Sequence, residues 1–553
     1  MDSSTQFVQP VNWDAHLLPG STFAPGDLLA DGTLVAAWSR RWVDRPEGAV
    51  LLDATGKAWT AGALQETTRR IAARLLHEGL VPGDRVLVSA EASPRLAETV
   101  VGALRAGMTV VPANTAYQRR EIAHIVTDSR PAAAFVDDAE RARWVEEEAS
   151  SHGQSLRLIA GSDPESSAPI DHPLVDTVAP GSPALIAYTS GTTGTPKGAI
   201  LTHSNLLANA ASITRAWRWT PDDRLLLALP LFHGHGLCNG LFGTLYAGAS
   251  AVILPSFDPK TVIGAAQTFG ATMFFGVPTM YHRLLSTPGV GAMRSLRLCV
   301  SGSAALPASL FEEFTVATGH RPLERYGATE VLMAVSNPYE GERRAGSVGV
   351  PLPGVEIRFG DVLIGEGDAA SGEDNTASGE DNTASGEGDA ASGEDNTASG
   401  EGDAAEVLVR SPMTFAGYRN LPGPTAEALE DGWFHTGDLA SQSSDGYLCI
   451  KGRAKELIIT GGLNVYPREV EDVLATHPAV VEVAVAGRPS EEWGEQVTAF
   501  VVTGDARSAE LRRSIAEMAA ADLAPYKRPK EVVFVDSLPR NALGKVMRHL
   551  LVE

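Results

Sequence analysis

Residues 187–205 read "AYTSGTTGTPKGAILTHSN". Hydroxyl side chains, two glycines and a proline crowd into the stretch from Thr189 to Pro196, and a lysine follows at Lys197. Glycine lets a backbone turn tightly and approach a ligand closely, while hydroxyls and exposed N–H groups bind phosphate oxygens. The spacing does not fit the Walker pattern of a P-loop. The segment therefore predicts a phosphate loop of another kind, with a plain surface turn as the alternative.

Strand and helix patterns alternate around this loop. The apolar run "SPALIAYT" (182–189) predicts a strand that leads into it, and "HSNLLANAASITRAW" (203–217) behind it has helical periodicity. The same alternation occurs upstream, in "GALQETTRRIAARLLHEGL" (62–80), "DRVLVSA" (84–90), "RLAETVVGALRAG" (95–107) and "MTVVPAN" (108–114). This order predicts an α/β fold with a largely parallel sheet covered by helices.

A second, smaller unit is predicted beyond Gly452. Pro467 suits the first turn of a helix, and "AVVEVAVAG" (479–487) alternates as a strand does. A further helix and strand follow in "SAELRRSIAEMAAADL" (508–523) and "EVVFVDSLP" (531–539). We therefore expect a large domain at residues 1–452, a small α+β domain at residues 453–553, and a hinge over Arg453–Lys455.

Composition narrows the class of protein. The chain has 553 residues and a formal charge of −23, which disfavours nucleic acid as a partner. No apolar run reaches the roughly 18 residues of a membrane span, and the proline-broken, acidic N-terminus does not resemble a signal peptide. Three widely spaced cysteines disfavour a disulfide framework or a zinc site. We expect a cytoplasmic protein without a membrane partner.

An acidic repeat occupies residues 365–405. Five copies of "ASGEDNT" or "ASGEGDA" begin at Ala370, and the segment carries twelve acidic residues and no lysine or arginine. A period of seven is typical of coiled coils, but no position in this repeat is a large apolar residue that could form a seam. The composition predicts a disordered acidic insertion.

Recognisable blocks recur along nearly the whole chain outside this repeat. "YTSGTTGTPKG" (188–198) resembles, residue for residue, the phosphate-loop signature of the adenylate-forming superfamily of acyl-CoA synthetases, adenylation domains and luciferases. The other blocks, in the order typical of that superfamily, are "LPLFHGHG" (229–236), "GVPTMYHRLL" (276–285), "SGSAALP" (301–307), "RYGATE" (325–330), "FHTGDLA" (434–440), "DGYLCIKGRAKELIITGGLNVYPREVE" (445–471) and "PRNALGK" (539–545). The resemblance implies a large domain of two βα-layered subdomains plus a small β-barrel, followed by a mobile C-terminal domain.

The same resemblance implies residues that bind the nucleotide. Tyr326 would stack on adenine beside Gly327, Asp438 would accept both ribose hydroxyls, and Arg453 would contact ribose or phosphate. The wall on the adenine side would be Ser301, Gly302 and Ser303. The loop that holds the β- and γ-phosphates of ATP would consist of Thr189, Ser190, Gly191, Thr192, Thr193, Gly194 and Lys197.

Catalytic roles are implied by the same blocks. Thr329 would contact the α-phosphate, and Glu330 would ligate Mg²⁺, because a carboxylate facing a polyanion needs a metal between them. Lys545 would stabilise the charge that accumulates when a carboxylate attacks the α-phosphate. Lys455 would be the pivot of a domain rotation, after which Gly461 and Gly462 would help form the tunnel for the CoA thiol.

The sequence specifies the acid substrate less closely than it specifies the nucleotide site. Several runs resemble malonyl-CoA and methylmalonyl-CoA synthetases, in which an arginine at the position of Arg283 pairs with the second carboxylate. That arginine could instead only cap a helix. His233 would line or gate the acyl pocket. Because His233 and His235 form an H-x-H pair, metal binding is the alternative role. Ala328 stands where malonate-type enzymes usually have methionine, which leaves room for a bulkier acid.

Several functions therefore stay open at this point. The chain could be a CoA ligase for a small dicarboxylate, or a CoA ligase for a medium-chain or aromatic acid. It could also adenylate an acid for another acceptor, such as an amine, a carrier protein or nitrite. A binding-only role is disfavoured because Lys545, Glu330 and Asp438 are all present. Monomer and dimer are equally open.

Overall fold

The structure, a computed structural model, describes residues 13–159, 171–189, 196–360 and 404–552, except residues 462, 491, 505, 542 and 543. The α-helices within these ranges are α1 Leu34–Asp44, α2 Ala61–His77, α3 Pro94–Arg105, α4 Arg119–Ser129, α5 Ala139–Ser151, α6 His203–Ala216, α7 Phe242–Ala247, α8 Pro259–Thr268, α9 Pro278–Leu285, α10 Ala308–Thr318, α11 Pro422–Ala428, α12 Pro467–Leu474, α13 Ala509–Asp522 and α14 His549–Val552. Within the described part, no helix is both long and apolar enough to cross a membrane.

The strands form four sheets. In chain order they are β1 Ala49–Leu52, β2 Ala58–Thr60, β3 Arg85–Ser89, β4 Thr109–Pro112, β5 Ala133–Val136, β6 Arg157–Leu158, β7 Pro183–Thr189, β8 Lys197–Thr202, β9 Arg224–Leu227, β10 Ser250–Ile253, β11 Met273–Gly276, β12 Leu298–Ser301, β13 Leu323–Ala328, β14 Leu332–Ser336, β15 Val350–Pro351, β16 Glu356–Gly360, β17 Ala405–Arg410, β18 Leu429–Glu430, β19 Trp433–Gln442, β20 Leu448–Arg453, β21 Ile458–Thr460, β22 Leu463–Val465, β23 Val480–Ser490, β24 Gly494–Thr503 and β25 Glu531–Phe534.

Two of the sheets make up most of the large domain. The first has nine strands in the order β15-β14-β13-β12-β11-β9-β10-β1-β2, and the second has six in the order β6-β5-β3-β4-β7-β8. The central pairings of both sheets are parallel, and antiparallel partners lie at their edges. The predicted α/β fold with largely parallel sheets is therefore confirmed.

Closely packed helices cover these sheets. Helix α3 begins after Ser93, whose hydroxyl accepts a hydrogen bond from the N–H of Leu96. Every residue of α3 except Arg95 is buried. At Gly102 a Cβ would lie 2.5 Å from the Ile71 side chain of α2, so only glycine allows the two helices to approach this closely.

A five-stranded antiparallel sheet takes the place where the small barrel was expected. Its order is β16-β17-β19-β18, with β20 also paired to β19. The acidic repeat joins β16 to β17, which pair from Glu356↔Arg410 to Gly360↔Glu406. Most of the repeat lies outside the described residues, so its predicted disorder is not tested. At its C-terminal end the predicted boundary is wrong, because Ala404 is buried and Ala405 already pairs with Ala440.

The C-terminal unit is α+β, as the sequence predicts. Its sheet has the order β22-β21-β24-β23, with β25 parallel to β24. Pro467 is the first residue of α12. Ser508 caps α13 by accepting a hydrogen bond from the N–H of Leu511. Helices α12 and α13 pack on one face of the sheet around Val470, which is fully buried.

Candidate active site

A cavity of about 170 Å³ lies at the carboxyl edge of the nine-stranded sheet. Three strands of that sheet, β9, β11 and β12, lead into segments that line it, at Leu229, Val277 and Ser303. In sheets of this kind, ligands bind outside the carboxyl ends of the strands. The cavity is lined by Leu229, Pro230, His233, His235, Phe257, Val277, Thr279, Met280, Arg283, Ser303 and Gly544.

His233 and His235 do not lie on a strand. His233 is in a turn, and His235 begins a π-helical segment, His235–Leu241, that continues into α7. Burial, with a smaller effect from the charge of Arg325, lowers the pKa of His233 to about 4. Nδ1 of the neutral His233 accepts a hydrogen bond from the N–H of His235 at 3.2 Å, so Nε2 carries the ring proton. His233, which lines the cavity, is therefore a neutral hydrogen-bond donor through its Nε2.

Metal binding by this pair finds no support in the structure. Among the described residues, no group of three or more histidine, cysteine, aspartate or glutamate side chains could hold a metal ion. Nδ1 of His235 lies 3.4 Å from the hydroxyl of Ser303, and the His235 ring stacks on Phe275. These contacts suit a residue that shapes the wall of the cavity.

Ser301, the last residue of β12, forms one edge of the site together with Gly302 and Ser303. The hydroxyl of Ser301 is buried and has no hydrogen-bond partner in the part of the chain that the structure describes. A Cβ at Gly302 would lie 2.4 Å from the guanidinium carbon of Arg325, so any other residue there would displace this guanidinium. Ser303 adopts a positive φ of 69°. The segment is thus held close against Arg325.

The "YGATE" block is a hairpin between β13 and β14. The partner strand β14 leaves no room for a side chain at Gly327, since a Cβ there would lie 1.9 Å from the carbonyl oxygen of Leu332. Ala328 is the last residue of β13 and packs partly buried against the large core. Thr329 and Glu330 occupy the turn that follows, and both are half-buried. Oε1 of Glu330 accepts a hydrogen bond from the hydroxyl of Tyr418 at 2.8 Å.

Asp438 connects this hairpin to the strand that precedes the small domain. The Tyr326 hydroxyl donates to Oδ2 of Asp438 at 2.5 Å, and Nε of Arg453 lies 2.7 Å from Oδ1. Asp438 and Arg453 are register partners on β19 and β20. Burial raises the pKa of Asp438, and the charge of Arg453 opposes that rise. The structure thus brings together three of the residues predicted to bind the nucleotide.

Lys545 reaches the same place from the small domain. Two hydrogen bonds close its loop. The N–H of Asn541 donates to the carbonyl of Lys545 at 2.9 Å, and the N–H of Lys545 donates to Oδ1 of Asn541 at 3.0 Å. Burial, followed by the charge of Arg453, lowers the pKa of Lys545, while Asp438 acts in the opposite direction. A Cβ at the preceding Gly544 would lie 3.5 Å from the hydroxyl of Thr279 on α9. The small domain is therefore docked with its lysine loop over the cavity.

The phosphate loop is described only at its ends. Thr189 ends β7 and Lys197 begins β8, and these two residues pair in an antiparallel hairpin. The ammonium of Lys197 lies 5.1 Å from the centre of the Tyr418 ring. The carbonyl of Pro196 is held by the ring of His124 at 2.8 Å. The predicted phosphate contacts that lie outside the described residues are Ser190, Gly191, Thr192, Thr193 and Gly194.

Two predicted groups in the small domain lie away from the cavity. Lys455 is exposed within a short 3₁₀ segment, Ala454–Glu456. Gly461 lies in the turn between β21 and β22 and packs on the ring of Trp493, to whose carbonyl its N–H donates. Gly462 is outside the described residues. Gly461 is not among the residues that line the cavity.

Arg283 lies at the exposed rim of the cavity, in the last turn of α9. Its guanidinium lies over the ring of Phe257 at 5.2 Å. It forms no ion pair with any carboxylate of the described residues, although its charge contributes to lowering the pKa of nearby Asp258. The guanidinium can therefore face an anion in the cavity.

Two residues at the site were not identified from the sequence. Arg325 is buried, and its Nε and Nη2 atoms have no hydrogen-bond partners within the described ranges. Burial lowers the pKa of Arg325 to about 10. Tyr418 contacts both Glu330 and Lys197. Arg325 could have been found because it is the first residue of the "RYGATE" block, whereas "TFAGYRN" around Tyr418 carries no comparable signal.

Comparison with known families identifies the chain. Residues 39–373 match the model of the AMP-binding enzyme family, and residues 469–545 match the model of the AMP-binding enzyme C-terminal domain. The chain belongs to the AMP-binding enzyme family. It is an AMP-forming acyl-CoA synthetase, which converts a carboxylic acid to an acyl-adenylate with ATP and Mg²⁺ and then to a thioester with CoA.

Relatives and solved structures agree with this assignment. The malonate–CoA ligase of Arabidopsis thaliana is 33% identical over 90% of this chain and 84% of its own length. The sulfoacetate–CoA ligase of Cupriavidus necator is 33% identical over 94% of this chain and 97% of its own. The crystal structure of ATP-bound MatB from Rhodopseudomonas palustris superposes with a TM-score of 0.82 at 36% identity, covering 94% and 98% of the two chains. The adenylate-forming fold predicted from the motifs is confirmed.

The residues present fit a magnesium ion that is bound mainly through its substrate. Mg²⁺ in nucleotide sites is usually held by one or two carboxylates together with phosphate oxygens and water. Glu330 supplies one half-buried carboxylate, and no described residue donates a hydrogen bond to its Oε2. A single carboxylate in this position suits an ion that arrives with ATP.

Proposed function

We propose that the acid activated by this enzyme is a short one with a second negative charge, malonate or methylmalonate first. The observation that carries this proposal is Arg283, an arginine without an ion-pair partner among the described carboxylates, at the rim of a cavity of about 170 Å³. A guanidinium binds a carboxylate with two parallel hydrogen bonds. The small volume disfavours a long or aromatic acid.

The named relatives support an acid of this kind. One is called a malonate–CoA ligase and another a sulfoacetate–CoA ligase. Both acids have two anionic groups separated by one carbon, and a sulfonate can replace the second carboxylate against a guanidinium. The substitution of Ala328 for the usual methionine leaves space for a substituent such as the methyl group of methylmalonate.

For the first half-reaction we assign roles to five residues. Asp438 accepts the ribose hydroxyls, Tyr326 stacks on the adenine, and Lys197 neutralises the β- and γ-phosphates together with the loop before it. Glu330 ligates Mg²⁺, which when bound polarises the phosphate oxygens and neutralises charge. Lys545 stabilises the charge that develops as the acid attacks the α-phosphate.

Three further residues complete this assignment. Thr329 contacts the α-phosphate from the turn after β13. Arg453 holds Asp438 in its ionised form through the 2.7 Å contact described above. His233, neutral and with its proton on Nε2, orients the reacting carboxylate by donating a hydrogen bond without adding charge.

For the second half-reaction we propose a rotation of the small domain. The domains are residues 1–452 and 453–553, and Lys455 is the pivot. In the present arrangement Lys545 faces Asp438, while Gly461 contacts Trp493 away from the cavity. Rotation would withdraw Lys545 and bring Gly461 and Gly462 to the acid, where the CoA thiol displaces AMP.

Pyrophosphate release across a set of acids tests the proposed substrate. Malonate, methylmalonate and sulfoacetate would be compared with propionate, hexanoate and benzoate, each with and without CoA. We expect the dianionic acids to have a kcat/KM at least about tenfold higher, which corresponds to 1.4 kcal/mol of transition-state binding. A thioester should form only with CoA present. A preference for hexanoate or benzoate would contradict the proposal.

A further inference from the structure

We propose that Tyr418 is a positioning residue that couples the Mg²⁺ carboxylate to the phosphate-loop lysine. The inference rests on the roles proposed above for Glu330 and Lys197. The Tyr418 hydroxyl donates to Oε1 of Glu330 at 2.8 Å, and the Lys197 ammonium lies 5.1 Å from the centre of the Tyr418 ring. One side chain thus contacts two functional groups that belong to different sheets.

The backbone around Tyr418 is bound to both segments. On one side, the N–H of Arg419 donates to the carbonyl of Gly198 at 2.8 Å, directly beside Lys197. On the other side, the N–H of Phe415 donates to the carbonyl of Glu330 at 2.7 Å. The segment 415–419 is therefore a fixed bridge between β8 and the hairpin that carries Glu330.

Packing holds the Tyr418 ring in place between these contacts. Its ring meets the buried Phe415 edge to face at 4.8 Å. Its N–H donates to the hydroxyl of Thr425 at 2.9 Å, which closes the turn behind it. A residue fixed in this way can hold two partners at one separation.

The hydroxyl and the ring have separate effects. A phenol is protonated at neutral pH, and the Tyr418 hydroxyl is placed to donate to Oε1 of Glu330. By fixing Oε1, it orients the carboxylate and leaves Oε2 for the metal, as outer-shell hydrogen bonds do at many metal sites. The ring attracts the ammonium of Lys197 by a cation–π interaction. The hydroxyl should therefore affect Mg²⁺, and the ring should affect the phosphates.

Two substitutions separate these effects. Tyr418→Phe removes the hydrogen bond to Glu330 and keeps the ring beneath Lys197. Tyr418→Leu removes both contacts. The matched control is Tyr447→Phe, which removes a hydroxyl that donates to the carbonyl of Glu342 on the same domain. Thermal unfolding of each variant establishes that it is folded.

The measurement is calorimetric binding of ATP to the whole enzyme, without acid or CoA, over a range of Mg²⁺ concentrations. Tyr418→Phe should raise the Mg²⁺ concentration for half-maximal binding about tenfold and leave ATP binding without Mg²⁺ unchanged. Tyr418→Leu should also weaken ATP binding without Mg²⁺. Tyr447→Phe should match the wild type. In a Glu330→Gln background, Tyr418→Phe should have no further effect, because the two residues act as a unit.

The outcomes distinguish this inference from the proposed function. If Glu330→Gln raises the Mg²⁺ requirement but Tyr418→Phe does not, the positioning role is wrong and the metal role stands. If the two substitutions are additive, Tyr418 acts independently of Glu330 and the inference is likewise overturned. If Glu330→Gln leaves the Mg²⁺ requirement unchanged, the metal role fails and the positioning role fails with it.

Discussion

Tyr326 donates its hydroxyl hydrogen to Oδ2 of Asp438 at 2.5 Å, although the two residues are 112 positions apart in the chain. The bond connects the end of β13 in the nine-stranded sheet to β19 in the antiparallel sheet. Because Asp438 is paired with Arg453 on the last strand before the small domain, the nucleotide site and the hinge share one network. A change at Tyr326 should therefore be detected in nucleotide binding.

Tyr326→Phe should weaken ATP binding in a way that depends on pH. The hydrogen bond lowers the pKa of Asp438 against the effect of burial, so its loss should raise that pKa further. The carboxylate must be ionised to accept two ribose hydroxyls, and it should lose its charge at a higher pH in the variant. We expect the KM for ATP to rise about three- to tenfold, with the increase growing as the pH falls. Steady-state kinetics from pH 8 to pH 5.5 would measure this, and a pH-independent KM ratio would contradict it.

Lys545→Ala should separate the two half-reactions. The lysine acts on charge that develops only when the acid attacks ATP, so adenylate formation should fall at least about 100-fold. Thioester formation from supplied acyl-adenylate and CoA should largely survive. Rapid-quench measurement of each half-reaction tests this, with Lys57→Ala, an exposed lysine in the turn between β1 and β2, as the control. Equal losses in both steps would show that Lys545 has a different role.

Much of the fold follows from local sequence patterns. Helix α6 begins where "HSN" predicts, because two reciprocal hydrogen bonds cap it. The Thr202 hydroxyl accepts a hydrogen bond from the N–H of Asn205, and the Asn205 side chain accepts one from the N–H of Thr202. Strand β8, "KGAILT", is not predicted by these patterns. Its strand character depends on pairing with β7 and with the chain at Tyr418, which single-sequence patterns do not reveal.

The candidate site shows the same limit. Residues in dense motifs, such as Asp438 and Glu330, were identified from their neighbours in sequence. Tyr418 was not, because its contact with Glu330 joins residues 88 positions apart. The exposure of Arg283 also could not be predicted from "VPTMYHRLL". Helical spacing shows on which side of a helix a residue lies, but not how deep the neighbouring cavity is.

Arg283→Ala should change the preference among acids. If Arg283 binds the second anion, its loss should raise the KM for malonate about tenfold, a moderate effect because the arginine is exposed and solvent screens its charge. The KM for propionate should stay the same. Arg283→Lys should recover part of the affinity, because it keeps the charge but not the bidentate geometry.

Competition kinetics with paired acids would measure this preference. Arg294→Ala, which removes another exposed arginine close to α9 in sequence, serves as the control. An unchanged ratio of malonate to propionate would mean that Arg283 only stabilises the carboxyl end of α9.

The acidic repeat should be dispensable for catalysis. Replacing residues 365–403 with Asn-Gly would remove twelve negative charges and keep Ala404, which is buried, and Ala405, the first residue of β17. Loop closure depends only weakly on loop length, so the shorter connection should stabilise the fold by roughly 1–2 kcal/mol. We expect kcat/KM within about twofold of the wild type, and an equal or higher melting temperature. A large loss of activity in a folded variant would show that the repeat contributes to the reaction.

Lys455→Pro should block the second half-reaction and spare the first. Glu456, the next residue, is bound by Arg548 at 2.7 Å, and Arg548 also holds Glu471 of α12 at 2.8 Å. Glu456 therefore moves with the small domain, which confines a pivot to the residues before it. A proline at position 455 lies in the first turn of a 3₁₀ segment, where its missing N–H removes no helical hydrogen bond, but it fixes φ near −65°.

The domain should then be held in the arrangement in which Lys545 faces Asp438. Adenylate formation should remain within about threefold of the wild type, while thioester formation from adenylate should fall at least about 100-fold, since backbone rotation at the hinge is the step being blocked. Lys455→Ala, which keeps backbone freedom, should leave both steps largely intact and so separates the loss of rotation from the loss of the side chain. Retention of both steps in the proline variant would place the pivot at Arg453 or Ala454, because the clamp of Arg548 on Glu456 excludes a pivot further along the chain.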